Sequence, residues 1–560
     1  MKMLLKNMNL NTFAGCSLLL ISVFTLGLSA QDLSKEVYVV SSYRPEIADV
    51  DKISSMPVMT DTFSFDTKIE YTVLPSRIKS DYSLRPIKPA KMVGTPLDKL
   101  YNSYLKVGLG NYASPLAEYS IHNLRSKEYA VGAYIFHRSS HFKFEPRTDT
   151  KIPAGYGRTE LAGYGKKFYR NVNLEAEIGA NRHRIRHYGL NTDLLSDPFE
   201  IEADEIKQAY NKVYALAGVR STRPDSGKMA YKVFIAGDYF RDHFKNKEPH
   251  VNISADVNIP VKSFFLRLEG DYDYYNFKNS YDTAATNLYN FHPVLTKRKE
   301  EWSIEAGARM TVLRSAEKDS FYIYPDANIK FRVIENALLA TIGVSGNLQV
   351  NSYENLSLEN PYIIPGSIPS NTNHALIFYA GVEGYLSRKA SYKIMVSWES
   401  MQDMVFFVNS DTNDYQNQFD YILNDADRIN YHLEFCWDPF HFLGFRMNTN
   451  YHTYQMYGED HPWQRPKADL ELSVLGNFKQ KLYAELDFIA VGKRYAYNIN
   501  GINAIVLDPI YDLNLKLEYK YSNILSFFAH FYNLTNQEHY YWNQYRSQGI
   551  NILAGLGYKF

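Results

Sequence analysis

Residues 512–521 read Asp512-Leu513-Asn514-Leu515-Lys516-Leu517-Glu518-Tyr519-Lys520-Tyr521. Every second residue is leucine or tyrosine, and those between are charged or carry an amide. Side chains of a strand leave alternately from its two faces, so this decapeptide makes a strand with one apolar and one wet face. Leu470, Leu472 and Val474 alternate likewise with Asp469, Glu471 and Ser473, and Leu482, Ala484, Leu486 and Phe488 with Tyr483, Glu485 and Asp487. Residues 172–180, 266–274 and 302–312 follow the same rule. Each run is about ten residues long, which is what a tilted strand needs to cross a bilayer.

The pattern begins near Ser103 and continues to the end of the chain. Short connectors are expected near 126–128, 169–171, 260–262, 299–301, 334–336, 387–390, 438–444, 478–480 and 522–523. Long ones rich in Asn, Asp, Gly and Pro are expected at 139–156, 188–209, 349–373, 408–425, 454–467 and 493–509. Their near-regular alternation is that of a membrane barrel with tight inner turns and long outer loops. The fold class read from this is all-β, a transmembrane antiparallel β-barrel of about 22 strands over residues 101–560, with residues 287–297 counted as a strand despite Pro293. An even count puts both ends of the barrel on the inner side. The last strand turns Ile552, Ala554, Leu556, Tyr558 and Phe560 outward. Tyr558 and Phe560 are read as the membrane-insertion signal that a barrel-assembly machinery recognises.

The N-terminus supports export. Lys2 and Lys6 precede an apolar run from Cys16 to Leu28, and Leu28-Ser29-Ala30 offers small residues for cleavage before Gln31. Thirteen residues are too few for a membrane helix, so 1–30 reads as a signal peptide. Cys16 opens the apolar run instead of following it, which argues against a lipid anchor there. Cleavage removes two of the 61 basic residues and none of the 61 acidic ones, leaving a net charge of −2. That balance offers no counterion-releasing surface for nucleic acid. Only Cys436 remains after cleavage, so no intrachain disulfide forms. The chain has 47 tyrosines and a mean hydropathy of −0.36. These suit a barrel with a wet lumen and aromatic girdles, the alternative being a large soluble β protein.

Residues 31–100 differ. Pro45, Pro57, Pro75, Pro86, Pro89 and Pro96 interrupt every apolar stretch, so this segment is expected to be irregular and to lie in or below the lumen.

The stretch 512–560, with Phe531-Tyr532-Asn533-Leu534-Thr535-Asn536 before the final hairpin, resembles the C-terminus of TonB-dependent receptor barrels. The resemblance implies an outer-membrane location, 22 strands and contact with lipopolysaccharide. Glu36-Val37-Tyr38-Val39-Val40-Ser41, followed by Tyr43-Arg44-Pro45, is similar to the energy-coupling box of such receptors, which would make Val37, Val39 and Val40 a contact for TonB. The full plug of that family, with Gly-Arg-rich motifs and a run ending in Asp-Gly, has no counterpart between Gln31 and Leu100. Residues 85–92, 97–112 and 123–129 resemble receptor-like outer-membrane proteins of Bacteroidota. Together these resemblances imply receptor-like, porin-like passage of a solute past a reduced plug. The alternative is a scaffold barrel that holds other outer-membrane proteins together and transports nothing.

No Gly-x-Ser-x-Gly elbow, His-Glu-x-x-His pair, Gly-Lys-Ser/Thr loop or paired-cysteine site occurs, so neither an enzyme nor a cofactor is expected. Arg182, Arg184 and Arg186, with His183 and His187, form a basic cluster, read either as an anion clamp or as an exposed basic rim. His452, Asp460 and His461 fit no recognised ligand spacing, and a solvated loop is the simpler account. Tyr540, Tyr541, Trp542 and Tyr545 form an aromatic cluster suited to ring stacking, to an interfacial girdle or to loop packing.

Overall fold

A computed structural model describes residues 99–560, apart from 148–149, 192–200, 203, 223–226, 280–282, 317–318, 336 and 413–414. Alternating runs become strands, each antiparallel to its neighbours, and 22 of them form one sheet. The first, Ser103–Gly110, pairs with the last, Asn551–Lys559, in a register running from Tyr104↔Lys559 to Gly110↔Leu553. That pairing closes the sheet and removes its edges. Ser103 and Phe560 therefore share the rim that carries the tight turns.

The decisive stretch forms the strand Ile510–Lys520. Its apolar residues join an outer belt in which Ile178, Phe321 and Ile323 are each 60% exposed or more. Such a continuous apolar surface on a closed barrel is stable only against lipid, and it places the chain in the outer membrane. Inward positions are polar. Lys516 Nζ lies 2.7 Å from Glu485 and 3.0 Å from Asp487, and Arg428 pairs with Glu399 at 2.7 Å.

Many tyrosines have a packing role on the inner wall. Gly179 faces Tyr214 and Gly343 faces Tyr379 in direct cross-strand register. The rings lie so flat across these glycines that a Cβ at either position would overlap ring carbons. Glycine is the only residue that leaves room for this crossing.

The connectors fall largely where the alternation placed them. Residues 287–297 lie within the strand Thr283–Arg298. Pro293 has no amide hydrogen, and its ladder to the next strand skips from Phe291↔Met310 to Val294↔Gly307. Two expectations are corrected. Some outer connectors are as short as the turns, as at Tyr112 and Ala113, whose φ values of 56° and 46° are left-handed. The expected connector 408–425 is shorter, because Ala390–Asn409 and Phe419–Phe440 continue as a paired hairpin beyond the wall, through Val405↔Leu423 and Phe407↔Tyr421. Met404-Val405-Phe406-Phe407-Val408 does not alternate because both faces are covered. Val405 and Phe407 join one buried cluster, and Met404, Phe406 and Val408 join another with Trp463. The ladder shifts register between Met401 and Met404, with Asp403 at φ 54°.

Candidate functional site at the outer mouth

The rim opposite Ser103 and Phe560 is built from loops that turn inward. Near the ends of adjacent strands, Ile185, Tyr210, Phe240 and Phe277 point into the barrel and form an apolar wall. Against it lies the short helix Tyr353–Glu359, whose N-cap Ser352 accepts from the Asn355 amide at 3.2 Å. The Glu248 carboxylate accepts from the amides of Tyr353 and Glu354 at 2.8 and 3.1 Å, fastening the first turn to the wall. Tyr353 is fully buried among the rings of Tyr210, Phe240 and Phe277. Its hydroxyl donates to Asp242 at 2.7 Å, and Asp242 also accepts from the amide and side chain of Asn246. Lys212 binds both oxygens of Glu354 at 2.7 and 2.9 Å. Burying Asp242 and Glu248 is tolerable because each carboxylate has its donors.

Four further segments meet beside this helix. The rings of Tyr362 and Tyr545 stack with centroids 3.5 Å apart, and Tyr188 meets Tyr545 edge-on at 5.1 Å. The Tyr545 hydroxyl donates to the Asn417 carbonyl, and that of Tyr188 to the Arg546 carbonyl. Trp542 packs against Phe407 and Phe419. Phe419 donates its amide to the Tyr362 carbonyl at 2.9 Å and returns its carbonyl to Ile364 at 2.8 Å. Burial pushes the Tyr362 phenol up to about 12 and raises those of Tyr188, Tyr353 and Tyr545 well above the ordinary phenol value. All four stay neutral, and Tyr188, Tyr353 and Tyr545 serve as hydrogen-bond donors. The result is a shared aromatic core across the mouth. Beneath the helix a cavity of about 420 Å³ remains, lined by Glu177, Lys212, Tyr214, Asp238, Glu354 and Leu358.

The residues singled out in the sequence separate in space. Arg182, Arg184 and Arg186 leave the strand Val172–Arg186 on the face opposite buried Ile185, so they point away from the lumen, whereas His183 points inward. His187 belongs to the mouth: its Nδ1 accepts from Gln418 at 3.0 Å, and burial lowers its pKa to about 4. His452 lies 3.5 Å from Asp469, while His461 stacks on Tyr495 at 4.3 Å, so the two are occupied separately. Among the described residues no group of three or more His, Cys, Asp or Glu is arranged to hold a metal ion. Of the aromatic cluster, Trp542 and Tyr545 are core, while Tyr540 and Tyr541 are exposed. Tyr558 and Phe560 project outward, 39% and 49% exposed, with ring centroids 5.7 Å apart. Val37, Val39 and Val40, like the expected plug-like segment, lie outside the described residues. Tyr353, Tyr362, Asp242 and Glu248 carried no sequence signal of this role beyond a weak cap at Ser352.

No protein-family model and no curated protein matches the sequence. Solved structures do match. The siderophore receptor PirA from Acinetobacter baumannii superposes with a TM-score of 0.66 at 9% identity, covering 83% of this chain and 81% of the other. The FrpB iron transporter from Neisseria meningitidis (F3-3 variant) gives 0.63 at 10%, covering 83% and 82%. A ferric enterobactin receptor mutant from Pseudomonas aeruginosa in complex with enterobactin gives 0.62 at 12%, covering 83% and 82%. The chain shares their barrel fold.

Proposed function

We propose that the protein is a receptor-like outer-membrane barrel that admits a solute from outside, with residues 31–100 as a reduced plug and Val37, Val39 and Val40 as the contact for TonB. The observation that carries this reading is the combination of a wide, polar-walled 22-strand barrel with outer loops that converge over its mouth. A barrel of that size cannot be filled by its own wall side chains, so it must be gated. A ferric siderophore is the first solute class to try, because proteins of the same fold are described as siderophore and ferric enterobactin receptors. Cells carrying V39P/V40P should insert the barrel normally and lose energy-dependent uptake of ferric siderophore. Normal insertion with uptake equal to wild type would count against the coupling role.

The scaffold reading rests on the mouth itself: Tyr353 and Phe419 are fully buried, so the loops form a core of the kind that holds a permanent structure. Affinity purification from native membranes separates the two. Stable stoichiometric protein partners, together with no uptake phenotype on deletion, would establish the scaffold.

A further inference from the structure

Strand alternation fixes where the outer-rim charges point. Ile185, Phe240, Glu248 and Phe277 are buried against the mouth core, so their chain neighbours must leave on the lipid side. Those neighbours are Arg184 and Arg186, Arg241, Lys247, and Lys278. Arg182 shares its side with Arg184. The register then aligns them: Arg182 is opposite Asn211, Asn211 opposite Arg241, Arg241 opposite Lys247, and Lys247 opposite Lys278. Five adjacent strands span roughly 19 Å at their ordinary spacing. The row lies immediately above lipid-facing residues, with Ile178 below Arg182 and Tyr239 two positions below Arg241, the level at which headgroups begin.

Two features set this row apart from an ordinary solvated rim. Like charges directly opposite one another on neighbouring strands repel, and here Arg241↔Lys247 and Lys247↔Lys278 are consecutive cationic pairs. No ion pair joins Arg182, Arg184, Arg241, Lys247 or Lys278 to an acid among the described residues. The sign is also local. On the far side of the barrel the outward rim position Asp427 is acidic and accepts from the Tyr457 hydroxyl at 2.7 Å. Within this arc the outward positions Arg241, Lys247 and Lys278 face one another, whereas the outward Arg314, two strands further on, faces Asp319.

We propose that this arc docks a phosphorylated glycolipid of the outer leaflet, with its phosphates on Arg182, Arg241, Lys247 and Lys278 and its acyl chains along the apolar strip below. A headgroup with more than one phosphate suits a row of this length. Arginine adds paired donors to each oxygen-rich group. The assignment is independent of whether the barrel transports anything.

The test is native mass spectrometry on the full-length barrel released from detergent, titrated with diphosphoryl lipid A, monophosphoryl lipid A or inorganic phosphate. Diphosphoryl lipid A should give a discrete adduct that millimolar inorganic phosphate does not displace, and monophosphoryl lipid A a weaker one. R241Q/K247Q/K278Q should lower that affinity about tenfold, whereas K479Q/K481Q on the opposite rim should leave it unchanged. Equal affinity in wild type and the triple variant would overturn the proposal, as would an equal loss in the control. Displacement by inorganic phosphate would overturn it in favour of a free-anion site. If the triple variant does not reach the heat-modifiable folded form, R182Q/R184Q, on another strand, puts the same question with the same readings.

Discussion

The amide of Ser103 donates to the carbonyl of Phe560 at 2.9 Å, and the amide of Phe560 donates to the carbonyl of Ser103 at 3.0 Å. The two ends of the sheet are therefore a reciprocal hydrogen-bonded pair, and the C-terminal residue is a structural part of the closure.

Removing Tyr558, Lys559 and Phe560 would leave Leu105, Tyr104 and Ser103 of the first strand without backbone partners on that side. Deletion of residues 558–560 is expected to deplete the folded barrel severely, measured as the heat-modifiable band on a gel of membrane fractions. F560A, which keeps the backbone pair, should fold but insert more slowly. Normal heat-modifiable protein after the deletion would show that closure does not depend on these residues.

The glycine–tyrosine crossings of the inner wall give a second expectation. Valine at Gly179 would drive its Cβ into the ring of Tyr214, whose hydroxyl also donates to Glu177 at 2.9 Å. The ring must swing away, breaking that bond and its packing. G179V should destabilise the barrel by about 1–3 kcal/mol. Without the ring there is no clash, so pairing G179V with Y214A should recover part of the loss. Equal urea midpoints for wild type and G179V in detergent would refute the crossing.

How much of this was legible in the sequence depends on the range of the interactions behind each part. The strand 510–520 can be read from ten residues because its pattern is local and lipid and water enforce it separately on the two faces. Residues 404–408 could not be read that way, since a segment covered on both sides loses its alternation. The mouth was hidden for a different reason. The Tyr210 hydroxyl donates to the Pro361 carbonyl, 151 positions along the chain, and Tyr362 stacks on a residue from the last loop. Singly placed apolar residues in polar loops carry no period, and only the closed barrel brings them together. The cationic row needed both parity and register, so three adjacent arginines were visible and their partners on later strands were not.

Loop docking should depend on pH through His187. Its imidazole is 2% exposed and contacts neutral groups, namely Gln418 and the ring of Tyr362. Burial holds its pKa at about 4 against an ordinary 6.5. Above 6.5 the ring is neutral whether the loop is docked or free, and it costs nothing. Between 6.5 and about 4 the free loop binds a proton that the docked one refuses, so docking weakens as pH falls. The full loss is on the order of 3 kcal/mol. Glu354, raised by burial, opposes this by taking up a proton more readily when docked. Hydrogen exchange in residues 187–190 should therefore accelerate from pH 7 to pH 5, after correction for intrinsic rates, and H187Q should flatten that change. An unchanged pH dependence in H187Q would assign it to another group.

The last expectation concerns what blocks the lumen. Two elements are available, the aromatic core of the outer loops and, by proposal, residues 31–100. The proposal for that segment rests on composition: its apolar residues are scattered singly between six prolines, and Arg44, Lys52, Arg77, Lys79, Arg85, Lys88 and Lys91 would find carboxylates on a polar barrel wall. Glu485 and Asp487 face inward and are already shared with Lys516, so incoming cations would have to compete there. Deleting residues 42–91 should raise single-channel conductance in planar bilayers if this segment occludes the pore. With the outer mouth still closed, the rise should be partial. Y362A/Y545A removes the stacked pair at the centre of the mouth core, and truncations of this kind cost about 3–5 kcal/mol, enough to free the loops. Combined with the deletion it should give a large, steady conductance, whereas alone it should give brief openings. If Y362A/Y545A alone conducts as fully as the combination, the loops are the barrier and residues 31–100 do not occlude the pore.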